Sequence, residues 1–246
     1  MIAEQAKRVL LVQVRAADDL MLDHEAACIQ RRFGTRPVEL VRHNAVLSRP
    51  RSQWLDGIDA LLIGGSGDFS VHHPDSQFWV TPLRTFLEEV LHRQVPGLAI
   101  CFGHQLLGMH LGQDVITHPD YAELGTVSVD ITRVGQQSPL FSGMSPVLQV
   151  HSGHSDHVVE VPTGVDLLAS NEATHTQAFC VRGTDFYSVQ FHPDMSGAEA
   201  RYRYLAYREG FAERLDPESK NKADQFKPGL DESTELIGRF YDLLFS

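Results

Sequence analysis

The sequence predicts an α/β protein with a parallel sheet, and three observations support this. The chain has 246 residues, 42% of them hydrophobic and 22% charged, which suits one sizeable globular core. Up to residue 112, short apolar runs alternate with amphipathic stretches, as parallel strands alternate with helices. From residue 125 onward, short runs of alternating polarity follow closely on one another, which is typical of antiparallel strands. We therefore expect a single domain over residues 1–246.

The periodicity of the chain places each element in order. In the first part it predicts strands at 8–14, 37–43, 58–69 and 97–100, and helices at 20–34, 76–93 and 103–112. In the second part it predicts strands at 125–134, 147–151, 157–161, 166–170, 177–182 and 186–192. Two more helices are expected at 197–211 and 232–244. Between them, the Pro-, Asp- and Lys-rich segment 215–232 predicts a long exposed connection.

The charge and cysteine content argue against several classes of protein. The chain has 32 acidic and 21 basic side chains and a formal charge of −11, so we expect neither nucleic acid nor an anionic membrane as partner. No apolar run approaches the roughly 20 residues that cross a bilayer, and residues 1–14 lack a signal-peptide cleavage site. Three cysteines fit reduced thiols in a cytoplasmic protein. We expect Cys28 and Cys180 to be buried without chemistry.

Cys101 lies where a buried strand turns into a helix, in the stretch "LAICFGHQLLG" (98–108). A nucleophile at such a turn needs small residues two positions before and after it, here Ala99 and Gly103. The free N–H groups and the positive dipole end of a helix N-terminus favour a thiolate at Cys101, and the N–H of Phe102 can stabilise an oxyanion. The alternative is a cysteine that only fills space at the strand end.

A thiol nucleophile needs a base, and the segment "YSVQFHPD" (187–194) supplies His192 at the end of a strand. Asp194 follows two residues later. In an extended segment, residues i and i+2 point to the same side, so the Asp194 carboxylate can fix the tautomer of the imidazole. The alternative is a strand that ends at a proline turn and carries an incidental histidine.

Together these two segments resemble a known family. "GLAICFGHQLLGMHLG" is similar to the nucleophile segment of the class I, triad-type glutamine amidotransferases, and "VQFHPD" is similar to their "QFHPE" segment. The resemblance implies Cys101 as the nucleophile, His192 as general acid and base, and Asp194 as the orienting carboxylate, with aspartate where the family usually has glutamate. It also implies a flavodoxin-like three-layer domain, with a mostly parallel central sheet and a small antiparallel sheet. Its specific motifs span residues 58–195, followed by a C-terminal tail and helix over 212–246.

The segment "LLIGGSGDFSV" (61–71) also resembles the family, at the glycine turn that follows the third strand. The resemblance implies that Gly65 presents the second N–H of the oxyanion hole, beside that of Phe102. Ser66 replaces the proline that the family has in this turn. The alternative is a glycine-rich turn that is needed only for close packing.

Two more segments match the family's substrate-contacting positions. Gln105 matches a glutamine that contacts the substrate, and "VHSGHSDHVVEVP" (150–162) matches the segment that receives the amino and carboxylate groups of glutamine. The matched positions in the latter are His154, Ser155 and Asp156. A metal site is the alternative, because histidines recur every three residues at 151, 154 and 157. On a strand this spacing sends neighbours to opposite faces, so we expect no metal. "YAELG" (121–125) also resembles a family segment, and we expect it to be structural.

The resemblance implies cysteine-dependent hydrolysis of a γ-glutamyl amide through a glutamyl thioester, with release of ammonia or an amine and without a metal or organic cofactor. The substrate would be a small molecule, glutamine or another γ-glutamyl compound. The last part of the chain resembles stand-alone, γ-glutamyl peptidase-like members, which favours a free-standing hydrolase. The alternatives are a glutaminase subunit that passes ammonia to a separate synthetase partner, and a catalytically silent binding or regulatory module.

Overall fold

Most strands of the computed structural model, which describes residues 5–246, belong to one sheet. The strands are β1 (Lys7–Val14), β2 (Val38–Asn44), β3 (Ala60–Ser66), β4 (Gly97–Ile100), β5 (Val115–Thr117), β6 (Glu123–Ile131), β7 (Val147–His154), β8 (Asp156–Val158), β9 (Val165–Ser170), β10 (Ala178–Val181) and β11 (Phe186–Val189). The helices are α1 (Met21–Phe33), α2 (Gln77–His92), α3 (Phe102–His110), α4 (Arg133–Gln137), α5 (Gly197–Arg214) and α6 (Leu236–Phe245). Across the described residues, no helix combines the length and apolar content needed to cross a membrane.

The parallel half of the sheet is covered by helices on both faces. Strands β2, β1, β3, β4 and β11 are parallel neighbours in that order, as in flavodoxin-like sheets. Their side chains alternate between two cores: Leu11 and Leu62 lie in the core that includes α1 and α6, and Leu10 and Ile63 lie in the core that includes α2 and α3. Both faces of these strands are therefore buried, which explains their continuous apolar sequences.

The antiparallel half continues the same sheet. Strands β10, β9, β6 and β7 follow β11 in antiparallel pairing, whereas β5 and β8 form a separate two-stranded antiparallel sheet. The predicted fold class is confirmed: an α/β protein with a large central sheet and a small antiparallel sheet.

Several predicted strands are shorter in the structure, and for two of them the cause is local. The strand expected to run to residue 134 ends at Ile131, because the Thr132 hydroxyl accepts a 2.9 Å hydrogen bond from the N–H of Gly135 and caps α4. The strand expected over 157–161 is confined to β8, which ends at Val158 because its partner strand β5 begins opposite that residue. In both places the alternation of polar and apolar residues continues beyond the last residue that pairs with a neighbouring strand.

The segment 215–232 is only partly the exposed connection that its composition predicts. It contains two short 3₁₀ turns, Pro217–Asn221 and Ala223–Gln225, and it buries Ser219 and Phe226. The Phe226 ring packs against Tyr204 of α5, with ring centroids 5.2 Å apart. A single aromatic residue among polar neighbours produces no periodic pattern, so the sequence did not indicate that this segment folds back onto the protein.

The candidate site lies where three neighbouring parallel strands end. Strand β4 pairs with β3 on one side and with β11 on the other, and Ile100 is opposite Val189 in the register. The carboxyl ends of parallel strands meet at one edge of a sheet, which is where open α/β sheets bind ligands. Residues that follow β3, β4 and β11 are therefore brought together, although they are far apart in the sequence.

Candidate active site

Cys101 occupies a tight turn between β4 and α3. Its backbone has a φ of 51°, a left-handed conformation that is uncommon for a residue with a side chain. A Cβ at Gly103 would lie 2.7 Å from the carbonyl oxygen of Ile63, so only glycine fits at that position. Cys101 thus precedes the first residue of α3, with its side chain 6% exposed. This is the geometry that the small flanking residues predicted.

The imidazole of His192 lies against Cys101. His192 follows β11, and its N–H donates a 2.8 Å hydrogen bond to the carbonyl of His151. Its Nδ1 lies 3.0 Å from Oδ1 of Asp194, and the ring lies beside the Cys101 side chain. Because Nδ1 faces Asp194, Nε2 is the nitrogen available to Cys101. Burial alone would lower the pKa of His192, but the negative charge of Asp194 and the contact with Cys101 raise it to about 9.

Asp194 is held between two cationic groups. One carboxylate oxygen, Oδ1, faces His192, and the other, Oδ2, lies 2.8 Å from Nη1 of Arg203 in α5. Asp194 is 1% exposed and Arg203 is 5% exposed. Burial raises the pKa of the Asp194 carboxyl, but Arg203 and His192 outweigh it and hold this pKa well below its usual range. The aspartate thus reaches the imidazole despite being one methylene shorter than glutamate.

The backbone of Gly65 borders Cys101. A Cβ at this position would lie 2.9 Å from Cε1 of His192 and 3.7 Å from Cβ of Cys101. Any larger residue would therefore push the imidazole away from the sulfur. Phe102, the other residue predicted to present an N–H, begins α3, and its ring packs in the core against Trp79 with centroids 5.6 Å apart.

The predicted substrate-contacting residues line one cavity together with Cys101. Cys101, Gln105, His154, Ser155 and Asp156 all border it. The structure thus brings every site residue predicted from the sequence into one region at the carboxyl ends of the parallel strands.

Hydrogen bonds fix the polar wall of this cavity. Gln105 Nε2 donates to the carbonyl of Asp156 at 2.8 Å. The hydroxyl of Thr117 donates to Oδ1 of Asp156 at 2.6 Å, and His72 Nε2 lies 3.6 Å from its Oδ2. The Asp156 carboxylate is therefore a fixed negative charge at the wall of the pocket.

His154 uses both ring nitrogens within the protein. Nδ1 lies 3.0 Å from the carbonyl of Asp156, and Nε2 lies 3.0 Å from Oε2 of Glu123, a buried carboxylate that Asn171 and Gln177 also contact. Glu123 belongs to the segment expected to be structural, and sequence reasoning did not assign it a place at the site. Its contact with His154 indicates that it shapes the pocket wall.

Helix α5 contributes part of the lining of this cavity. Phe211 and Arg214 line the cavity that contains Cys101, and Arg214 Nη1 lies 3.1 Å from Oδ1 of Asp68 in the loop after β3. A Cβ at Gly67 in that loop would lie 2.5 Å from the ring of Tyr207. Sequence reasoning identified α5 only as a helix. Its contribution to the site depends on contacts across more than a hundred residues, for which the sequence carries no local pattern.

The histidines that suggested a metal site have separate partners. His151 Nε2 lies 2.8 Å from Oδ1 of Asp231, His154 contacts Glu123, and the His157 ring packs against Tyr121 with centroids 4.6 Å apart. Within residues 5–246, no three His, Cys, Asp or Glu side chains are arranged to hold a metal ion.

The other two cysteines lie away from the candidate site's cavity. Cys28 is fully buried in α1, and burial raises the pKa of its thiol to about 11. Cys180 in β10 is partly buried, and burial raises its pKa to about 12. At neutral pH both are therefore protonated and poorly nucleophilic.

Comparison with known proteins places this geometry in context. The family model for glutamine amidotransferase class-I matches residues 23–208. One subunit of the glutamine-hydrolysing GMP synthase of Sulfurisphaera tokodaii is 33% identical over 163 residues, which cover 63% of this chain and 79% of that protein.

Solved structures share the fold at low sequence identity. A glutamine amidotransferase from Thermotoga maritima has a TM-score of 0.72 and 17% identity, over 99% of this chain and 100% of that chain. The CTPS glutaminase domain of Trypanosoma brucei, solved with bound acivicin, has a TM-score of 0.61 and 16% identity, over 85% of this chain and 95% of that chain.

Proposed function

The chain belongs to the class I glutamine amidotransferase family, and from this premise we propose that it hydrolyses a γ-glutamyl amide through a thioester on Cys101. The substrate class is glutamine or a γ-glutamyl compound. The observation that carries this proposal is that His192 lies beside Cys101 and contacts Asp194, at the ends of β4 and β11. These are the nucleophile, the base and the orienting acid that acyl transfer requires.

The first half-reaction forms the thioester. His192 is protonated at neutral pH because its pKa is raised to about 9, so it can pair with a Cys101 thiolate. The sulfur attacks the γ-carbonyl carbon, and the N–H groups of Gly65 and Phe102 receive the oxyanion. When the C–N bond breaks, His192 Nε2 gives its proton to the leaving nitrogen. The products are ammonia or an amine and a γ-glutamyl thioester.

The second half-reaction releases the acid. His192, now neutral, takes a proton from water, whose oxygen attacks the thioester carbon. The C–S bond breaks and the sulfur returns as the thiolate beside protonated His192. The new γ-carboxyl group loses its remaining proton to solvent and is released as glutamate or its derivative. Asp194 keeps Nδ1–H oriented in both halves. Every group used belongs to this chain, so the mechanism requires no metal or organic cofactor.

The polar wall of the cavity suits the amino-acid end of the substrate. The fixed carboxylate of Asp156 attracts the α-ammonium group, and Gln105, His154 and Ser155 border the remaining space. Because both ring nitrogens of His154 are engaged, its role is to hold the wall in shape rather than to bind substrate with a free nitrogen.

A free-standing hydrolase is the form of this function that the geometry favours. Phe211 and Arg214 of α5 line the cavity with Cys101, so the chain covers its own pocket. The second candidate is a glutaminase that supplies ammonia to a separate synthetase, which the similarity to one subunit of a GMP synthase supports. In either form, the three unpaired cysteines within residues 5–246 suit the reducing cytoplasm.

A substrate screen tests the proposal. Purified protein is given glutamine and a series of γ-glutamyl dipeptides, with and without cell extract, and release of ammonia or amine is measured. Turnover without extract supports the free-standing hydrolase, and turnover of glutamine that depends on extract supports the form that serves a synthetase. Absence of turnover, together with absence of Cys101 labelling by acivicin, supports a silent module and contradicts the proposal.

A further inference from the structure

Arg203 is a buried cation whose one strong contact among residues 5–246 is with Asp194, the acid of the proposed triad. Its Nη1 lies 2.8 Å from Oδ2 of Asp194. Its Nη2 lies 3.5 Å from Nδ1 of His24, the outer limit for a hydrogen bond, and its Nε meets no acceptor among the described residues. Burying a guanidinium is costly, and such a pair adds little to stability compared with apolar packing. The arrangement therefore calls for a function other than stability.

The carboxylate of Asp194 is shared between two partners, one for each oxygen. His192 Nδ1 contacts Oδ1 at 3.0 Å, and Arg203 Nη1 contacts Oδ2 at 2.8 Å. An aspartate side chain has two rotatable bonds, so contacts at both oxygens determine its orientation completely. Arg203 is carried by α5, which the capping box of Ser196 and Glu199 anchors at its N-terminus. The carboxylate is thus held from a rigid element.

We propose that Arg203 is a positioning residue of the triad, and that it holds the short Asp194 carboxylate at the distance from which it orients His192. The inference rests on the proposed function, since it assigns Arg203 to the same reaction. In the segment "VQFHPD", aspartate stands where related segments have glutamate. The aspartate carboxylate extends one methylene less from the backbone than that of glutamate. The cation behind it fixes this carboxylate within reach of Nδ1. Arg203 acts through Asp194 and His192 rather than on the substrate.

The charged groups around Asp194 and Arg203 determine which substitutions test the contact between these two residues alone. His192 and Arg203 contact Asp194 directly, and His24 of α1 contacts Arg203. Cys28 and Glu199 lie further out. Burial is the main cause of the pKa shifts of His24 and Cys28, and Arg203 and Asp194 also contribute to them. Arg208, in the same helix, is 49% exposed and pairs with Glu209, so Arg208→Gln is a matched control outside the site.

The first experiment compares Arg203→Gln, Arg203→Lys and Arg208→Gln with the unsubstituted protein. We expect Arg203→Gln to lower kcat about 100-fold, the order of effect of a misplaced catalytic group, and to change KM less than about threefold. Arg203→Lys should have a kcat at least about tenfold higher than Arg203→Gln, because lysine restores the positive charge but not the planar guanidinium. Arg208→Gln should leave both constants unchanged. A loss for Arg203→Gln that appears mainly in KM, or no loss in kcat, overturns the proposal.

A double-variant cycle separates positioning from folding. In an Asp194→Asn background there is no carboxylate to position, so adding Arg203→Gln should change kcat by less than about twofold. A merely structural role for Arg203 would cost the same factor in both backgrounds, and that result overturns the proposal. If Arg203→Gln alone fails to fold by circular dichroism, the comparison of Asp194→Asn with the double variant still decides, because the double variant leaves no buried charge unpaired.

Alkylation of Cys101 makes the test independent of turnover. The rate of modification by iodoacetamide at pH 7, measured on the Cys101 peptide by mass spectrometry, reports the Cys101–His192 pair directly, and Cys28 and Cys180 serve as slow internal references. We expect Arg203→Gln to slow the reaction of Cys101 about tenfold, and an unchanged rate contradicts the proposal. If the unsubstituted protein is alkylated rapidly at Cys101 but cleaves no γ-glutamyl amide, the proposed function fails while the role of Arg203 is still decided.

Discussion

The two ends of the proposed triad are held in different ways. Cys101 is fixed by the backbone: a strand end, a φ of 51° and the first turn of α3 determine where its sulfur lies. Asp194 is fixed by side chains, with one oxygen on His192 and the other on Arg203. The position of the proposed nucleophile therefore depends on local backbone geometry, which few substitutions can change in small steps. The acid depends on a distant helix and can be adjusted in small steps.

Removing the sulfur is the largest change available at the backbone-held end. We expect Cys101→Ala to lower kcat about 10⁶-fold, as loss of a triad nucleophile does. Release of ammonia or amine from the best substrate of the screen is the measurement. Turnover that survives this substitution would place the chemistry elsewhere and remove the basis of the comparison.

Removing the charge of Asp194 should have the next largest effect on kcat. Asp194→Asn keeps the shape of the side chain but loses the charge that stabilises protonated His192, so kcat should fall about 10⁴-fold. The measurement is steady-state kinetics at pH 7, with circular dichroism to verify the fold. A fall of less than about tenfold would show that the side-chain-held end contributes only to structure.

Displacing the nucleophile without removing it tests the backbone-held end more finely. At Gly103, an alanine Cβ would meet the backbone carbonyl of Ile63 at 2.7 Å, so the turn must shift and carry Cys101 with it. We expect Gly103→Ala to lower kcat about 100-fold, as a displacement of about 1 Å does. Gly112→Ala is a control in the same region, because a Cβ there meets nothing within 4 Å, although its φ of 90° adds some strain. Equal activity of the Gly103→Ala variant and the unsubstituted protein would contradict the strict geometry assigned to the turn.

The smallest expected effect is the alkaline limb of the pH profile. The pKa of His192 is raised from 6.5 to about 9, so its proton is present for the leaving nitrogen up to that pH. Above it, kcat/KM should fall about tenfold for each pH unit. Because the folded-state pKa is the higher one, the associated stabilisation is complete below pH 6.5 and is lost as the pH rises through about 9. A decline centred near pH 7 would mean that Asp194 and Cys101 do not act on His192 as the structure indicates.

The same contrast explains how much of the site could be predicted from the sequence. The positions of Cys101, Ala99 and Gly103 follow from a local pattern, because a strand, a sharp turn and a helix each leave a signature within a few residues. His192 and Asp194 lie two residues apart, so their contact is local as well. Arg203 and Glu123 reach the site from α5 and β6, and no periodicity in their own segments points to those partners.

The fold shows the same division. Strands buried on both faces produce continuous apolar runs, so β1, β3 and β4 were predicted within a few residues. The boundaries were wrong where side chains decide them: Thr132 ends β6 by capping α4, and Phe226 draws an otherwise polar segment into contact with Tyr204. Neither contact changes the periodicity of the sequence, and both become evident only when distant parts of the chain are packed together.

The shared carboxylate of Asp194 also has an evolutionary consequence. A lineage that lengthens this acid by one methylene moves its oxygens toward the guanidinium of α5, and a lineage that loses the guanidinium leaves the shorter acid untethered. Neither change is favourable alone, so positions 194 and 203 should covary among homologues, with arginine accompanying aspartate and disappearing where glutamate stands.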